Sequence, residues 1–410
     1  MCDSVTSTRS FENNIEKLMK KRASFFFDLS FTVLLFFLPL STAIPNLVLP
    51  ILAVFFVLKK KKKQPTTHTI LVVVFCLYMI LKSLFYTSFI ATVSAYNFFF
   101  ILLLITILTP EITNHQQVKK GFIFGVLTAV FLTLINVTMH YIATQTVPLG
   151  NTVEANYLLV LHRPYLGILC FIASVFAIET AAFKGKNRMY YVFAGVLALF
   201  TLLIVARLAL FLTLIYLFVK ALKNRKRANR KQQVYAVLLM LVVGAFLFLN
   251  PNLKRRIQVQ ESFEKTKKVM ANQEPRVVIW PCAIAQLQSP QFHKIFGFQT
   301  PEAIEKQLVA CYQEKIDNVS KRDYYVEKAF HTHNQFLGTL LLGGALAFLL
   351  LLGIFGHSLS LFYRNKTMPW VVLGILLFCL LENVLHRQLG VYILGIFIPL
   401  AHHTLAKKNE

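Results

Sequence analysis

The sequence predicts an all-α polytopic membrane protein of about twelve transmembrane helices with one large hydrophilic loop. Three observations predict it. Hydrophobic residues fill 56% of the 410 positions, and Phe alone occurs 38 times. Apolar runs recur from residue 24 to residue 405, and a helix crosses a bilayer with about 20 such residues. Most Lys and Arg fall in short segments between those runs, where they fix orientation. The net charge of +25 is therefore a topology signal. No aromatic-basic patch accompanies it, so nucleic acid is not an expected partner, and membrane lipids are.

Residues 1–22 are polar and end in Lys20-Lys21-Arg22. The apolar run that follows leads straight into another, with no clear small-residue cleavage site. The N-terminus is thus expected to stay in the cytoplasm, without a cleavable signal. Spans are read at 24–41 and 44–58, with Pro45 and Asn46 marking a tight hairpin. Lys59 to Lys63 is a cytoplasmic anchor beside anionic headgroups. Spans at 68–87 and 94–110 lead to a short segment containing Lys119 and Lys120, then a fifth span at 121–143. A more polar stretch, 144–163, enters a sixth span at 164–183, which Lys184, Lys186 and Arg188 follow. Residues 189–222 are too long for one span and read as two, meeting near Ala206-Arg207. After the basic run Lys220–Lys231 a ninth span covers 234–250.

Residues 251–334 break the pattern with mixed charge and no bilayer-length apolar run. Spans resume at 335–357, 369–386 and 389–405. The chain divides into a nine-helix part (1–250), the loop (251–334) and a three-helix part (335–410). Starting inside, every short basic segment lands inside, and the turns near 43, 90, 150, 207 and 388 land outside. The loop also lands outside, and loops longer than about 60 residues escape the orientation rule. Reading 189–222 as one helix would give eleven spans and put Lys220–Lys231 outside.

Cys76, Cys170 and Cys379 sit within spans and Cys2 in the cytoplasm. Cys282 and Cys311 share the outer loop, the one region that meets an oxidising compartment; they form either a disulfide or two separate buried thiols. Arg207 lies between two apolar runs with no acid nearby in sequence. It faces a cavity and binds something, or it snorkels at the outer interface. Arg163, in His162-Arg163-Pro164, has a similar place before the sixth span. Glu382 and Arg387 miss the i,i+4 spacing of helix ion pairs, which leaves structural pairing with other helices.

The most informative string is His331-Thr332-His333-Asn334-Gln335-Phe336-Leu337, then Gly343-Gly344, where the loop re-enters the membrane. A histidine there can be both wet and close to a lipid-borne substrate. Upstream stand Arg276, Trp280, Pro290 and Phe296-Gly297-Phe298. Arg276 is either a solvated loop charge or a forked cation suited to phosphate oxygens.

His333-Asn334, Leu337 and Gly344 resemble the signature of the O-antigen ligase family of bacterial envelopes. The arrangement Arg276, Trp280, Pro290, Phe296-Gly297-Phe298 is similar to the same family's loop, and the topology matches it. The resemblance implies a metal-independent inverting glycosyltransferase without cofactor, placed in the inner membrane with its loop in the periplasm. It would move a glycan from undecaprenyl pyrophosphate to a hydroxyl of the lipid A core. The leaving group is already good, so catalysis needs cations for the departing charge and a base for the acceptor proton. His333 is matched to the base, and histidine changes charge in the physiological range. Arg207, Arg276 and Arg163 are matched to the pyrophosphate, with Asn334 beside the substrate. Trp280, Gly297, Gly344, Glu382 and Arg387 take supporting roles.

Two positions depart from the family pattern: Ala206-Arg207-Leu208 replaces Ser-Arg-Gly, and Thr332 replaces the Pro that often precedes the key His. The pair His331-x-His333, with His293, raises a zinc reading, but the carboxylates and Cys spacing of familiar zinc sites are missing. A polysaccharide polymerase or protein O-oligosaccharyltransferase shares donor, loop and motif with a ligase. An envelope glycan transporter is a third reading, against which stand the one-sided loop and the lack of internal repeats.

Overall fold

A computed structural model describes residues 22–59, 64–146, 157–183, 188–223, 274–360 and 368–400. The expected ninth span at 234–250, the first part of the loop, most of the basic runs and Cys2 lie outside these residues. Among the described residues the protein is helical, and extended pairing is confined to one isolated bridge, His293–Gly297.

The helices are α1 (22–37), α2 (Ala43–Leu58), α3 (Thr67–Tyr86), α4 (Phe89–Leu108), α5 (His115–Thr144), α6 (Arg163–Phe183), α7 (Arg188–Leu203) and α8 (Arg207–Lys223). The loop contributes α9 (Arg276–Ala285), α10 (Pro301–Lys315) and α11 (Val319–Lys328). The last three are α12 (Gln335–Ser360), α13 (Met368–Leu381) and α14 (Gln388–Leu400). Five of them, α3, α4, α5, α6 and α12, are long and apolar enough to cross a membrane. Their outer faces keep large apolar side chains exposed, Phe85 at 82% and Ile90 at 80%. Such faces suit a lipid solvent, in which backbone polar groups must be satisfied within the helix. The chain is a helical membrane protein.

Short polar residues start these helices. Thr66 Oγ1 accepts from Thr69 N to open α3, Ser88 Oγ accepts from Ala91 N to open α4, and Asn114 Oδ1 accepts from Gln117 N to open α5. The Ser88 cap starts α4 at Phe89, earlier than the apolar run at 94 indicates. The Asn114 cap likewise places Lys119 inside α5, where it is buried against Glu179 of α6 at 3.0 Å instead of lying in an inter-helix segment. α6 is the central helix: 83% of its apolar stretch is buried, against 33% for α4. It packs on α5, α7, α8 and α13.

The long apolar run 189–222 does break, at Ile204–Ala206. Ala206 N donates to Thr201 O and Val205 N to Leu202 O, both at 3.1 Å, with Val205 at φ 53°. This is the paired-bond helix stop that normally carries Gly at the left-handed position. α13 stops at Leu381, short of the expected 386, and residues 384–386 form a 3-10 turn.

The connections gather at two ends. At one end Gln388 Nε2 donates to Thr42 O at 2.7 Å and to Asn46 Oδ1 at 2.8 Å, tying the α13–α14 connection to the α1–α2 hairpin. At the other, Lys59 Nζ donates to Glu111 O at 2.7 Å. There the Asp28 carboxylate also accepts from Thr113 N at 3.0 Å and Asn114 N at 2.9 Å.

Candidate functional site

The loop helices hang together before they meet the bundle. Cys282 on α9 and Cys311 on α10 form a disulfide with Cα atoms 5.8 Å apart. Tyr312 on α10 donates its hydroxyl to Phe330 O at 2.8 Å, which fixes the segment that precedes His333.

The loop is anchored on α12 through the two motif glycines. Phe298 N donates to Leu341 O at 2.8 Å, and Ala345 N to Lys294 O at 2.9 Å. Gly297 has φ 75° and Gly344 φ 66°, both in the left-handed region, and Gly344 kinks α12. A Cβ on Gly344 would stand 2.2 Å from Ile295 O, and one on Gly297 2.5 Å from Leu341 O. The crossing leaves one carbonyl open on each segment, and Lys82 of α3 takes both: its buried Nζ donates to Phe298 O of the loop at 2.5 Å and to Leu342 O of α12 at 2.6 Å. Tyr78 donates to Gly343 O at 2.8 Å. Neither residue stood out in the sequence, because a Lys inside an apolar run gives no hint of carbonyls from 216 and 260 residues away.

The irregular segment before α12 carries His333, itself at φ 45°. Asn334 Oδ1 accepts from Leu337 N at 3.0 Å, so this side chain caps α12. Asn383 Oδ1 accepts from Asn334 N at 2.7 Å and from Thr332 Oγ1 at 3.0 Å. Gln335 Oε1 accepts from Leu385 N at 2.7 Å. Residues 332–335 and 383–385 are thereby locked together. The hydroxyl of Thr332, where a proline was expected, does part of that work.

The lock sets the charged groups face to face. Glu382 Oε2 lies 3.4 Å from His333 Nδ1, and Glu382 Oε1 accepts from Arg276 at 3.0 Å. Arg276 also donates through Nε and a terminal nitrogen to Leu381 O at 3.1 and 2.6 Å, which caps the C-terminus of α13. Its other terminal nitrogen donates to Glu274 Oε1 at 2.6 Å. Glu274 Oε2 in turn lies 3.6 Å from Arg207. One continuous chain of charge, Arg207–Glu274–Arg276–Glu382–His333, therefore joins residues from α8, α9, the α13–α14 connection and the head of α12. A scan against protein-family models finds no match, and no curated protein sequence matches the chain.

The start of α6 faces the same region. Arg163 is its first residue. Its neighbour His162 is pushed below the ordinary histidine range by burial first, then by the Arg387 charge, with Glu382 opposing. The Arg387 guanidinium lies over the Tyr165 ring, 5.6 Å from its centroid. Trp280, on α9, packs against the core with its indole nitrogen buried.

The three histidines of the zinc reading do not converge. His293 Nδ1 accepts from Ile295 N and Phe296 N, both at 3.2 Å. The His331 ring lies tilted against that of His386 with centroids 4.9 Å apart, while His333 turns to Glu382. Burial, then the His331 charge, drives His386 down to about 3. Among the described residues no group of three or more His, Cys, Asp or Glu is placed to hold a metal ion.

Chemically, the cluster offers two guanidiniums for an anion and one oriented imidazole. An ionised carboxylate only accepts, so a neutral imidazole facing Glu382 is favoured in the tautomer with its proton on Nδ1 and the Nε2 lone pair open. Glu274 and Glu382 had not been matched to partners in the sequence, since Glu382 meets Arg276, and Glu274 meets Arg207, only after folding. The Glu274-Pro275-Arg276 order was the one available hint.

Proposed function

We propose that the chain is a glycosyltransferase of the bacterial inner membrane that moves a glycan from undecaprenyl pyrophosphate to a hydroxyl of the lipid A core, as an O-antigen ligase does. The observation that carries this reading is the charge chain: folding joins the two arginines and the histidine that the sequence pattern picks out. The acceptor oxygen attacks the anomeric carbon of the donor sugar. The bond from that carbon to the pyrophosphate oxygen breaks, and the electron pair leaves on the pyrophosphate. Arg276 and Arg207 stabilise that charge. Nε2 of His333 takes the acceptor's proton, and Glu382 stabilises the imidazolium that forms. The guanidiniums supply the cationic stabilisation, so the reading assigns no metal.

The proposed topology has twelve spans with the site on the periplasmic face. α8 leaves the site end at Arg207, yet Glu274 is back against Arg207. The ninth span expected at 234–250 would return the chain to that end and keep Lys59 and the other short basic segments inside.

Membranes carrying His333→Ala are expected to lose glycan transfer while keeping the protein, and Arg207→Lys is expected to be damaging because Lys lacks the fork. Transfer at normal rate by His333→Ala would remove it as base. Deleting the gene should turn capped core into bare core, with lipid-linked polymer accumulating. Single repeats still attached to core would instead mark a polymerase. Chelators should leave transfer unchanged.

A further inference from the structure

We propose that Glu274 competes with the donor for its own binding site, holding the guanidinium N–H groups that the pyrophosphate takes. The inference rests on the pyrophosphate reading of Arg207 and Arg276. Guanidinium has five N–H donors. Arg276 makes four hydrogen bonds: two to Leu381 O, one to Glu382 and one to Glu274. The first three fasten Arg276 to the end of α13 and to the carboxylate that orients His333. They serve the scaffold. The terminal nitrogen facing Glu274 is what remains for an anion, and Arg207 meets the same carboxylate at 3.6 Å. The two oxygens of Glu274 thus stand where two pyrophosphate oxygens have to go.

The geometry also lets Glu274 leave. Its backbone carbonyl accepts from Val277 N at 3.1 Å in the first turn of α9, so the main chain is fixed. Its side chain is 28% exposed and that of Arg207 50% exposed. Contacts this exposed are weak and screened by salt, so a pyrophosphate with more charge and more acceptors displaces the carboxylate. Removing Glu274 leaves Arg276 in place on Leu381 O and Glu382. Glu274 is therefore a positioning residue that weakens donor and product alike and speeds departure of the lipid pyrophosphate.

The test uses the full chain in lipid nanodiscs and farnesyl pyrophosphate as the probe. Glu274→Gln is expected to bind it about three- to tenfold more tightly than wild type, the size appropriate to losing exposed ion pairs. Glu274→Asp keeps the charge but is one methylene too short to span both guanidiniums, and should show a smaller gain in the same direction. Equal or weaker binding by both variants overturns the proposal. Arg207→Ala, measured alongside, separates this from the underlying reading. If it weakens binding while Glu274→Gln changes nothing, Glu274 is a bystander and the arginine still holds pyrophosphate. If Arg207→Ala binds like wild type, or the probe binds to neither protein, the pyrophosphate reading falls and the proposal with it.

Discussion

A histidine that acts as a base must have one nitrogen protonated and held, so that the other is open. Glu382 stands 3.4 Å from Nδ1 of His333, in place to do this, and His333 itself sits in left-handed backbone at φ 45°. Non-glycine residues in left-handed backbone are uncommon and concentrate at functional sites. The carboxylate cannot be replaced by its amide. In Glu382→Gln the amide nitrogen can donate to Nδ1, which favours the tautomer with its proton on Nε2 and closes the basic nitrogen. Glycan transfer by Glu382→Gln is expected to fall about 10²–10⁴-fold, the range for mis-set tautomers and lost bases. Donor binding should change far less, since Arg276 keeps its bonds to Leu381 O and Glu274. Equal losses in donor affinity and turnover would assign Glu382 to binding alone.

At the scale of elements, the site depends on the crossing between 293–298 and the kinked α12. Two left-handed glycines make it, and buried Lys82 and Tyr78 satisfy the carbonyls it exposes. Gly344→Ala adds a methyl 2.2 Å from Ile295 O at a φ of 66°. Strain of that kind costs on the order of 1–3 kcal/mol before the clash is counted. The variant should therefore melt earlier in detergent than wild type and lose transfer, and Gly353→Ala on the same helix, with nothing within 4 Å, should not. An unchanged melting temperature for Gly344→Ala would mean the crossing is not as tight as drawn. This is where sequence reading stopped short. Gly297 and Gly344 were visible as motif positions, but the contact between them was not, because the two segments lie far apart in the chain. Lys82 was invisible for the same reason. Likewise the turn at Arg207 was legible from run length, while the left-handed Val205 inside it was not, since no Gly marks the stop.

At the scale of the molecule, helix positions were legible because apolar run length is a direct physical requirement of the bilayer. α2, α3, α6, α7, α8 and α12 fall within a few residues of the runs that announced them. The ends were less legible, as α13 shows: Leu381 is its last residue because Arg276, from the loop, caps its final carbonyl. The architecture then makes a claim about sides. The hairpin at Thr42, the turn before Arg207, the loop helices and the α13–α14 connection are linked at one end. The Lys59–Glu111 and Asp28–Thr113 contacts lie at the other. If that first end faces the periplasm, alkaline phosphatase fused after Gln145 or Ser289 should be active and fluorescent protein fused there dark. Fusions after Thr113 or Ser360 should behave in the opposite way. Thr113 and Ser289 reporting the same compartment would break the alternation in which α8 and α12 both run inward from the site end.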